Sequence, residues 1–538
     1  MGFMTGGQAV VDSLVANGVE VVFGIPGTHS LSIYRHLGKS GIRHVTPRHE
    51  QGAGYGADGY ARSSGKPGVC LVTTGPGVTN ISTALGQAFS DSIPLLVVSP
   101  GLPFSVEGGD HGYLHETKSQ SGATSCIAAW SHRARSQQDL ADAIGRAFGY
   151  FEAGRPRPVH IEAPLDVLEQ VSFVEDIIPF QAPPPRPAEP GGIELAAKAL
   201  SGARRGALVL GGGARHAAGE ATELAESLAM VVVTTTNGRG VVSEKHPLSL
   251  GATIMTRTAQ AYVDSCDVVL CVGTELGDSD MWGTRLAPGG TVIRVDVESA
   301  QLQKNLPAAI ALQADAKLAL SAIAAQVAAA QVAAGRSEAT RSKAGALSEA
   351  ARLRQEIAEE LDSELAPWRA LHESLDKVLE ADAILAGDAA MACYFGTAFL
   401  LRVEGPSQWL YPTGFCTLGY GLPAAIGAKL AHPTRQVMAI MGDGGIMFTL
   451  SELATAAQLR LGLPVVVVTN GGYGEIRREI EALGVEPVGT DFPVPDFVAV
   501  ARGLGGDGVR VPAAEAGQAV EEAFGRDRPT LIEVEAGS

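Results

Sequence analysis

Two short segments in the last third of the chain have the residue types and spacing of a metal site. The motif Gly442-Asp443-Gly444-Gly445 follows an apolar run, and a second apolar run ends in the side-chain amide of Asn470, 27 positions after Asp443. Parallel strands bring such ends to one edge of a sheet, where open α/β sheets bind ligands. A carboxylate, an amide oxygen and a free backbone carbonyl suit Mg²⁺, which takes further ligands from phosphates. The spacing therefore predicts a magnesium site for a diphosphate.

The elements that would position these groups recur along the whole chain. Short β-branched runs alternate with helical patterns, which predicts the α/β class with three doubly wound parallel-sheet domains. A proline-rich stretch at 179–190 and an alanine-rich, charged stretch near 318–365 interrupt the alternation. We therefore expect domains at 1–175, 191–330 and 366–538, with a solvated helical linker at 331–365.

Composition limits the function classes. Hydrophobic residues make up 46% of the 538 residues and charged residues 18%, which allows a large buried core. A net charge of −17 without a basic run argues against nucleic-acid binding. The N-terminus does not resemble a signal peptide, and no apolar run reaches the roughly 18 residues of a membrane span. We therefore expect a cytoplasmic protein that binds small molecules, without nucleic-acid or membrane partners.

The motif pair resembles that of the thiamine-diphosphate-dependent enzymes. Their Gly-Asp-Gly…Asn element is similar to Gly442-Asp443-Gly444…Asn470. The resemblance implies that Asp443, Asn470 and the main-chain carbonyl of Gly472 hold Mg²⁺ on the cofactor diphosphate. One departure is visible, because these enzymes usually show Asn-Asn where this chain has Thr469-Asn470.

Two further segments carry the same resemblance. The segment Thr46-Pro-Arg-His-Glu50 places Glu50 where the family has a glutamate that hydrogen-bonds the aminopyrimidine of the cofactor, and the loop ending at Asn80 is similar to one that lines this pocket. In Tyr411-Pro-Thr-Gly-Phe-Cys416-Thr-Leu418, the resemblance implies that Leu418 wedges between the two cofactor rings and that the Cys416 carbonyl accepts from the exocyclic amine.

The similarity runs from about residue 4 to 535 and implies a pyrimidine-binding, a middle and a diphosphate-binding domain. In this superfamily two chains share each cofactor, so the resemblance implies a homodimer at least and commonly a homotetramer with shared active sites. It also implies decarboxylation of a 2-oxo acid, with Glu50 activating the cofactor. The product is then an aldehyde or, after joining a second 2-oxo acid, an acetohydroxy acid.

The choice between decarboxylase and carboligase rests on a few positions. The acetohydroxyacid synthases, which the chain resembles overall, carry Phe-Gln-Glu where this chain has Leu114-His115-Glu116, and a lysine where it has Leu165. They also place an arginine in the stretch that here contains Glu275. Because a second 2-oxo acid needs a cation for its carboxylate, these differences favour the decarboxylase, and the carboligase stays the alternative.

The segments around Thr28, His115, Glu275 and Val485 look most like those of the decarboxylases of 5-guanidino-2-oxopentanoate. Imidazole titrates near neutral pH, so His115, His29 or His111 could deliver the proton that completes the aldehyde. Acidic side chains could bind a cationic substrate tail. The candidate substrate residues are Thr28, Glu275, Asp278, Asp280, Glu475 and Arg477.

A third hypothesis is a catalytically silent homologue that binds thiamine diphosphate or a nucleotide. The presence of Glu50 and Asp443 argues against it. The turn Gly211-Gly-Gly-Ala-Arg215 lacks the full dinucleotide fingerprint and is typical of a tight turn. Whether the middle domain carries FAD, as in the acetohydroxyacid synthases, stays open at this point.

Overall fold

The computed structural model describes residues 1–106, 108–333 and 342–537. The first α/β unit has a six-stranded parallel sheet and a two-stranded antiparallel ribbon. Its strands are β1 (Gly2–Thr5), β2 (Val21–Gly24), β3 (Arg43–Val45), β4 (Gly68–Leu71), β5 (Leu95–Gly101), β6 (Trp130–Arg133), β7 (Val159–Pro164) and β8 (Val171–Val174). Its helices are α1 (Gly6–Ala16), α2 (Leu31–Leu37), α3 (Glu50–Ser64), α4 (Pro76–Asp91), α5 (Gln120–Ser125), α6 (Gln137–Ala153) and α7 (Leu165–Glu169). The sheet order is β3-β2-β4-β5-β7-β6, and β1 pairs with β8.

The second unit has a five-stranded parallel sheet in the order β10-β9-β11-β12-β13. Its strands are β9 (Gly206–Leu210), β10 (Val231–Thr234), β11 (Val268–Val272), β12 (Thr291–Asp296) and β13 (Ile310–Gln313). Its helices are α8 (Pro190–Gly202), α9 (Ala218–Ser227), α10 (Arg257–Asp264), α11 (Asp278–Met281) and α12 (Ala316–Ala333). Three helices follow it, namely α13 (Lys343–Glu360), α14 (Asp362–Leu365) and α15 (Arg369–Asp376).

The third unit has a six-stranded parallel sheet in the order β15-β14-β16-β17-β19-β18. Its strands are β14 (Ile384–Gly387), β15 (Trp409–Leu410), β16 (Val437–Gly442), β17 (Pro464–Thr469), β18 (Asp507–Arg510) and β19 (Thr530–Glu535). Its helices are α16 (Ala398–Leu400), α17 (Gly421–Ala431), α18 (Asp443–Ile446), α19 (Glu452–Gln458), α20 (Gly474–Ala482), α21 (Phe497–Gly503) and α22 (Ala516–Phe524).

The three parallel sheets confirm the predicted fold class. Every residue of the central strand β17 is buried, as a continuous valine run covered on both faces requires. Strand ends differ slightly from the sequence prediction. The apolar run Val19–Phe23 predicts a strand that begins at Val19, whereas β2 begins at Val21, because α1 is followed by a turn in which Gly18 adopts the left-handed conformation (φ 73°).

The first and third units meet along α3 and α17 with their backbones in close approach. A side chain on Gly59 would overlap the backbone of Ala424, and one on Gly427 would overlap the carbonyl oxygen of Gly56. Glycine at these positions therefore lets the two helices touch without intervening side chains. This glycine-lined seam joins the sheets that carry the candidate site.

The predicted helical linker at 331–365 is only partly solvated. Its residues 334–341 lie outside the described part of the chain. Helix α13 buries Ala350, Leu353 and Ile357 in a hydrophobic cluster with residues of the second unit. One face of this helix is therefore core, and the expected solvated connector is replaced by a packed helix. Among the described helices, none combines the length and apolar character needed to cross a membrane.

Candidate functional site

Asp443 lies where β16 passes into α18 and joins two loops of the third sheet. Its carboxylate is 1% exposed. Oδ1 accepts a hydrogen bond from the Gly444 backbone N–H at 2.8 Å, and Oδ2 accepts from the N–H groups of Asn470 (3.0 Å) and Gly471 (2.8 Å). The carboxyl ends of β16 and β17 are thus held together, as the motif spacing predicted.

The Gly444 and Gly445 positions leave no space for side chains. A side chain on Gly444 would lie 2.8 Å from the ring of Tyr473, and one on Gly445 would overlap the Asp388 carboxylate. Asn470 is exposed, and its Oδ1 accepts from the Gly472 N–H at 3.2 Å. Among the described residues no cluster of three His, Cys, Asp or Glu side chains is suited to a metal. A metal here would therefore take Asp443, Asn470 and a backbone carbonyl, with phosphate oxygens completing the shell.

Leu418 belongs to a loop that is anchored at both ends. At one end, Asp91 accepts hydrogen bonds from the N–H groups of Thr413 (3.0 Å) and Gly414 (2.8 Å). At the other end, the buried carboxylate of Asp388 accepts from the N–H groups of Gly419 (3.0 Å) and Tyr420 (3.2 Å). Burial raises the pKa of Asp388 to about 6 despite these bonds.

Asp388 was not predicted from the sequence to belong to the site. The signal was the same as for Asp443, because Gly387-Asp388 also ends an apolar strand.

A cavity of about 980 Å³ opens between the second and third units. That volume lies in the range of small-molecule sites, which is about 300–1,000 Å³. Of the residues predicted from the sequence, it is lined by Glu275, Asp278, Cys416, Leu418, Gly442, Asp443, Gly444, Gly445, Asn470, Gly472 and Glu475. The donor set, the backbone cradle and the space fit a magnesium-bound diphosphate with its attached rings.

The first unit carries a second group of predicted residues at the carboxyl ends of its strands. Glu50 begins α3, is 7% exposed, and accepts a hydrogen bond from the Asn80 amide at 2.9 Å. The His49 ring caps the same helix end by accepting from the Gln51 N–H. Asn80 lies in the first turns of α4, which begins at Pro76, so the predicted loop at residues 75–80 is mostly helix, and its Asn80 side chain contacts Glu50.

His29 and His115 lie edge to face, with ring centroids 5.2 Å apart. Their Nδ1 atoms are both buried, without a hydrogen-bond partner in the described residues. Burial, and then the neighbouring His115, lower the pKa of His29. His115 adopts a left-handed conformation (φ 65°) and packs on Gly75, so it lies at the turn that leads to Asn80. The structure therefore brings these histidines together on the side of Glu50.

In the described part of the chain, the group around Glu50 lies apart from the cavity that contains Asp443, because Glu50, Asn80, His29 and His115 are not among its lining residues. Thr28 is exposed beside His29. His111 is also exposed, and among the described residues its ring makes no contact with the histidine pair.

The predicted substrate residues lie in different surroundings. Glu275 lines the main cavity and forms an ion pair with Arg155 at 2.6 Å, an arginine that also pairs with Glu298 at 3.1 Å. Asp280 lines a different, smaller cavity, and burial raises its pKa to about 7. Arg477 pairs with Asp491 and is not among the described residues lining the main cavity. Asp278 and Glu475 remain at the cavity surface, and the cross-domain partner Arg155 was missed.

The size and charge of the smaller cavity bear on whether the middle domain carries FAD. It includes the turn at Gly212 and Gly213 and offers about 200 Å³, less than the usual small-molecule site. Its lining has four arginines (Arg62, Arg155, Arg215, Arg239) and five carboxylates (Asp91, Glu275, Asp280, Asp296, Asp315). The small volume and the slight excess of carboxylates over arginines do not favour a flavin dinucleotide, which carries its own negative diphosphate, in this cavity.

Family models for thiamine pyrophosphate enzymes match three stretches of the chain. The N-terminal TPP binding domain matches residues 4–123, the central domain 193–323, and the C-terminal TPP binding domain 389–534. The chain belongs to this family of thiamine pyrophosphate enzymes. The matches confirm the expected cofactor, thiamine diphosphate, with which the family ordinarily uses Mg²⁺.

Individual relatives cover nearly the whole chain. It is 44% identical over 542 residues to the probable 2-ketoarginine decarboxylase AruI of Pseudomonas aeruginosa, covering 99% of this chain and 94% of that protein. It is 31% identical over 540 residues to the acetolactate synthase isozyme 1 large subunit of Escherichia coli, covering 98% and 93%. It is 33% identical over 539 residues to an acetolactate synthase of Mycobacterium bovis, covering 95% and 84%.

Proposed function

We propose that the protein decarboxylates 5-guanidino-2-oxopentanoate, also called 2-ketoarginine, to the corresponding aldehyde and CO₂. The observation that carries this proposal is the 44% identity, over 99% of the chain, to the probable 2-ketoarginine decarboxylase of Pseudomonas aeruginosa. When bound, thiamine diphosphate supplies a nucleophilic ring carbon for the 2-oxo group and a sink for the electron pair released with CO₂.

The third unit would hold the charged end of the cofactor. Asp443 and Asn470, with the Gly472 carbonyl, would bind Mg²⁺, and the backbone of Gly444 and Gly445 would face the diphosphate. Leu418 would set the angle between the two rings from its anchored loop. The hydrogen-bonded loops support metal binding here, because the ligand oxygens would need little rearrangement to reach Mg²⁺.

The first unit would supply the proton chemistry. Glu50 would hydrogen-bond the aminopyrimidine, with the Asn80 amide holding one of its oxygens in place (2.9 Å). The paired imidazoles of His29 and His115 would deliver the proton that completes the aldehyde. Their unpartnered Nδ1 atoms support this role, because an imidazole that exchanges a proton needs a nitrogen that is free to do so.

The alternative, a carboligase of the acetolactate synthase type, would need a cation for the carboxylate of a second 2-oxo acid. Leu165, at the position of the expected lysine, is buried and apolar. Glu275, at the position of the expected arginine, is an acid that forms an ion pair with Arg155. These two positions support the decarboxylase.

The experiment is a product assay with purified protein, thiamine diphosphate and Mg²⁺. Pyruvate, branched, aromatic and guanidino 2-oxo acids would be supplied separately, and CO₂ and the carbon product measured for each. We expect guanidino aldehyde from the guanidino acid as the fastest reaction. Acetolactate from pyruvate as the main activity would replace the proposal with the carboligase, and absence of turnover with bound cofactor would favour the silent homologue.

We also propose a homo-oligomer, a dimer at least, in which Glu50 of one chain and Asp443 of another complete each site. The support is that these residues lie in separate surroundings within one chain. Glu50→Gln and Asp443→Ala, each inactive alone, would be co-expressed. A mixed dimer keeps one intact site only if the site is shared, so about a quarter of wild-type activity should return. No recovery would place both residues in the same chain's site.

A cytoplasmic location is also proposed. None of the six cysteines, all of which lie in the described residues, forms a disulfide, and Cys70, Cys266, Cys271 and Cys393 are buried, as in proteins of a reducing compartment. Activity recovered mainly from an exported or membrane fraction of cells would contradict it.

A further inference from the structure

The main cavity has an acidic and aromatic wall beside the metal motif. The wall consists of Trp282 at the end of α11, Tyr394, and Glu475 in the first turn of α20. The rings of Trp282 and Tyr394 meet edge to face, with centroids 6.3 Å apart. Burial and the adjacent Glu475 carboxylate raise the pKa of the Tyr394 hydroxyl, so this phenol stays neutral. These three side chains therefore form one continuous surface.

Glu475 is the carboxylate of this wall that has an unused oxygen. Its Oε1 pairs with Arg478 at 2.6 Å, and the Tyr394 hydroxyl is close enough to interact with the carboxylate, whereas Oε2 is buried without a partner of good hydrogen-bond geometry in the described residues. Arg478 also pairs with Glu364 at 2.8 Å, so one cation serves two carboxylates. A buried acceptor oxygen without a donor is costly, and a ligand that donates to it would remove that cost.

The net charge of the cavity lining indicates which charge a bound ligand should carry. Its described lining contains five acids, namely Glu275, Asp278, Asp443, Glu475 and Glu479, and no Lys, Arg or His side chain. Asp443 is assigned to the metal. Glu275 and Glu475 each pair with an arginine that also serves a second carboxylate, Glu298 for Arg155 and Glu364 for Arg478. With Asp278 and Glu479 beside them, the lining keeps a net negative charge, so the cavity favours a cationic group over a neutral or anionic one.

We propose that Glu475, together with the rings of Trp282 and Tyr394, binds the guanidinium tail of the substrate and sets the preference for it. This inference rests on the proposed function and names the side chains that would read the substrate. A planar guanidinium donates to a carboxylate through two N–H groups and packs against aromatic faces, which an ammonium does less well. The wall supplies both kinds of partner.

The test compares two substrates in one series of variants. Wild type, Glu475→Gln and the control Glu481→Gln would be assayed with 5-guanidino-2-oxopentanoate and with 2-oxohexanoate, which has an uncharged tail. Glu481 lies on the same helix, is exposed, and is not among the described residues lining the cavity. We expect Glu475→Gln to lower kcat/KM for the guanidino acid by about 10- to 150-fold, the range for losing a hydrogen bond to a charged group. The value for 2-oxohexanoate should stay within about twofold, since the neutral tail makes no such bond.

The ratio of the two kcat/KM values separates recognition from structural damage. A substitution that merely disturbs α20 would lower both values together, and an unchanged ratio in Glu475→Gln would overturn the inference while leaving the decarboxylase proposal standing. Glu475→Asp should restore part of the ratio, because it returns the charge. If wild type turns over 2-oxohexanoate but releases no CO₂ from the guanidino acid, the proposed substrate and this inference both fail.

Discussion

Removing the Asp388 carboxylate should release the loop that carries Leu418. In Asp388→Ala, the buried N–H groups of Gly419 and Tyr420 lose their acceptor. Each unsatisfied group costs about 1–3 kcal/mol, so the local arrangement should lose about 2–6 kcal/mol. The ionised carboxylate itself is costly, because a pKa raised to about 6 from 3.8 corresponds to about 3 kcal/mol at neutral pH. The free energy of global unfolding should therefore fall by much less than the local stability of the loop.

Hydrogen–deuterium exchange measures the loop directly. For a local loss of about 3 kcal/mol, exchange at Gly419 and Tyr420 should accelerate roughly a hundredfold, whereas β16 and β17 keep their protection. Affinity for thiamine diphosphate should fall in parallel, because Leu418 and the Cys416 carbonyl belong to the same loop. The control is Asp382→Ala, an exposed carboxylate before the start of β14.

Unchanged exchange at Gly419 and Tyr420 in Asp388→Ala, with the expected fold, would refute this reasoning. It would mean that the loop is held by Asp91 and by side-chain packing alone. A general increase across the third unit would also refute it, because the effect would then be global unfolding. Asp388→Asn, which keeps one acceptor oxygen, should give an intermediate exchange rate.

Three further predictions concern the cofactor and pH. Asp443→Ala should abolish the thermal stabilisation that Mg²⁺ and thiamine diphosphate together give wild type, and a full shift in the variant would exclude Asp443 as a ligand. The purified protein should be colourless, and a flavin absorption band that persists after gel filtration would disprove our assessment of the smaller cavity. Burial lowers the pKa of His160 to about 3, so the folded state keeps this ring neutral while the unfolded chain protonates near pH 6.5. Stability should therefore be fully present above pH 6.5 and fall by about 1.4 kcal/mol per pH unit down to about pH 3. His160→Asn should flatten this fall in acid unfolding curves, and an unchanged slope would remove His160 as its source.

Much of the fold could be predicted because its signals are local. Strand β17 contains a run of four valines, and Asp443 and Asn470 each follow a short apolar segment, so the sheet edge and the metal motif were visible in the sequence. The anchoring by Asp388 was not, because its partners lie 31 and 32 positions away in a loop. Pairing across such a distance depends on the packed fold and leaves no periodic pattern.

The same limit applies to Glu275. In the sequence it is one of several acids that could bind a cationic substrate tail. Its partner Arg155 lies in another domain, 120 positions earlier, and the ion pair exists only once the two domains meet. Glu475 could be chosen among the acids only when the structure showed which carboxylate oxygens were already bonded.

The glycine-lined seam between α3 and α17 also has a mechanical meaning. Helices in backbone contact cannot slide past each other without a clash, so the outer two units should behave as a single stiff frame through a catalytic cycle. Substrate entry and aldehyde release must then depend on a less tightly packed part of the cavity rim. We expect helix α20, which has no buried residue, to be a part of the cavity rim that can move at low cost.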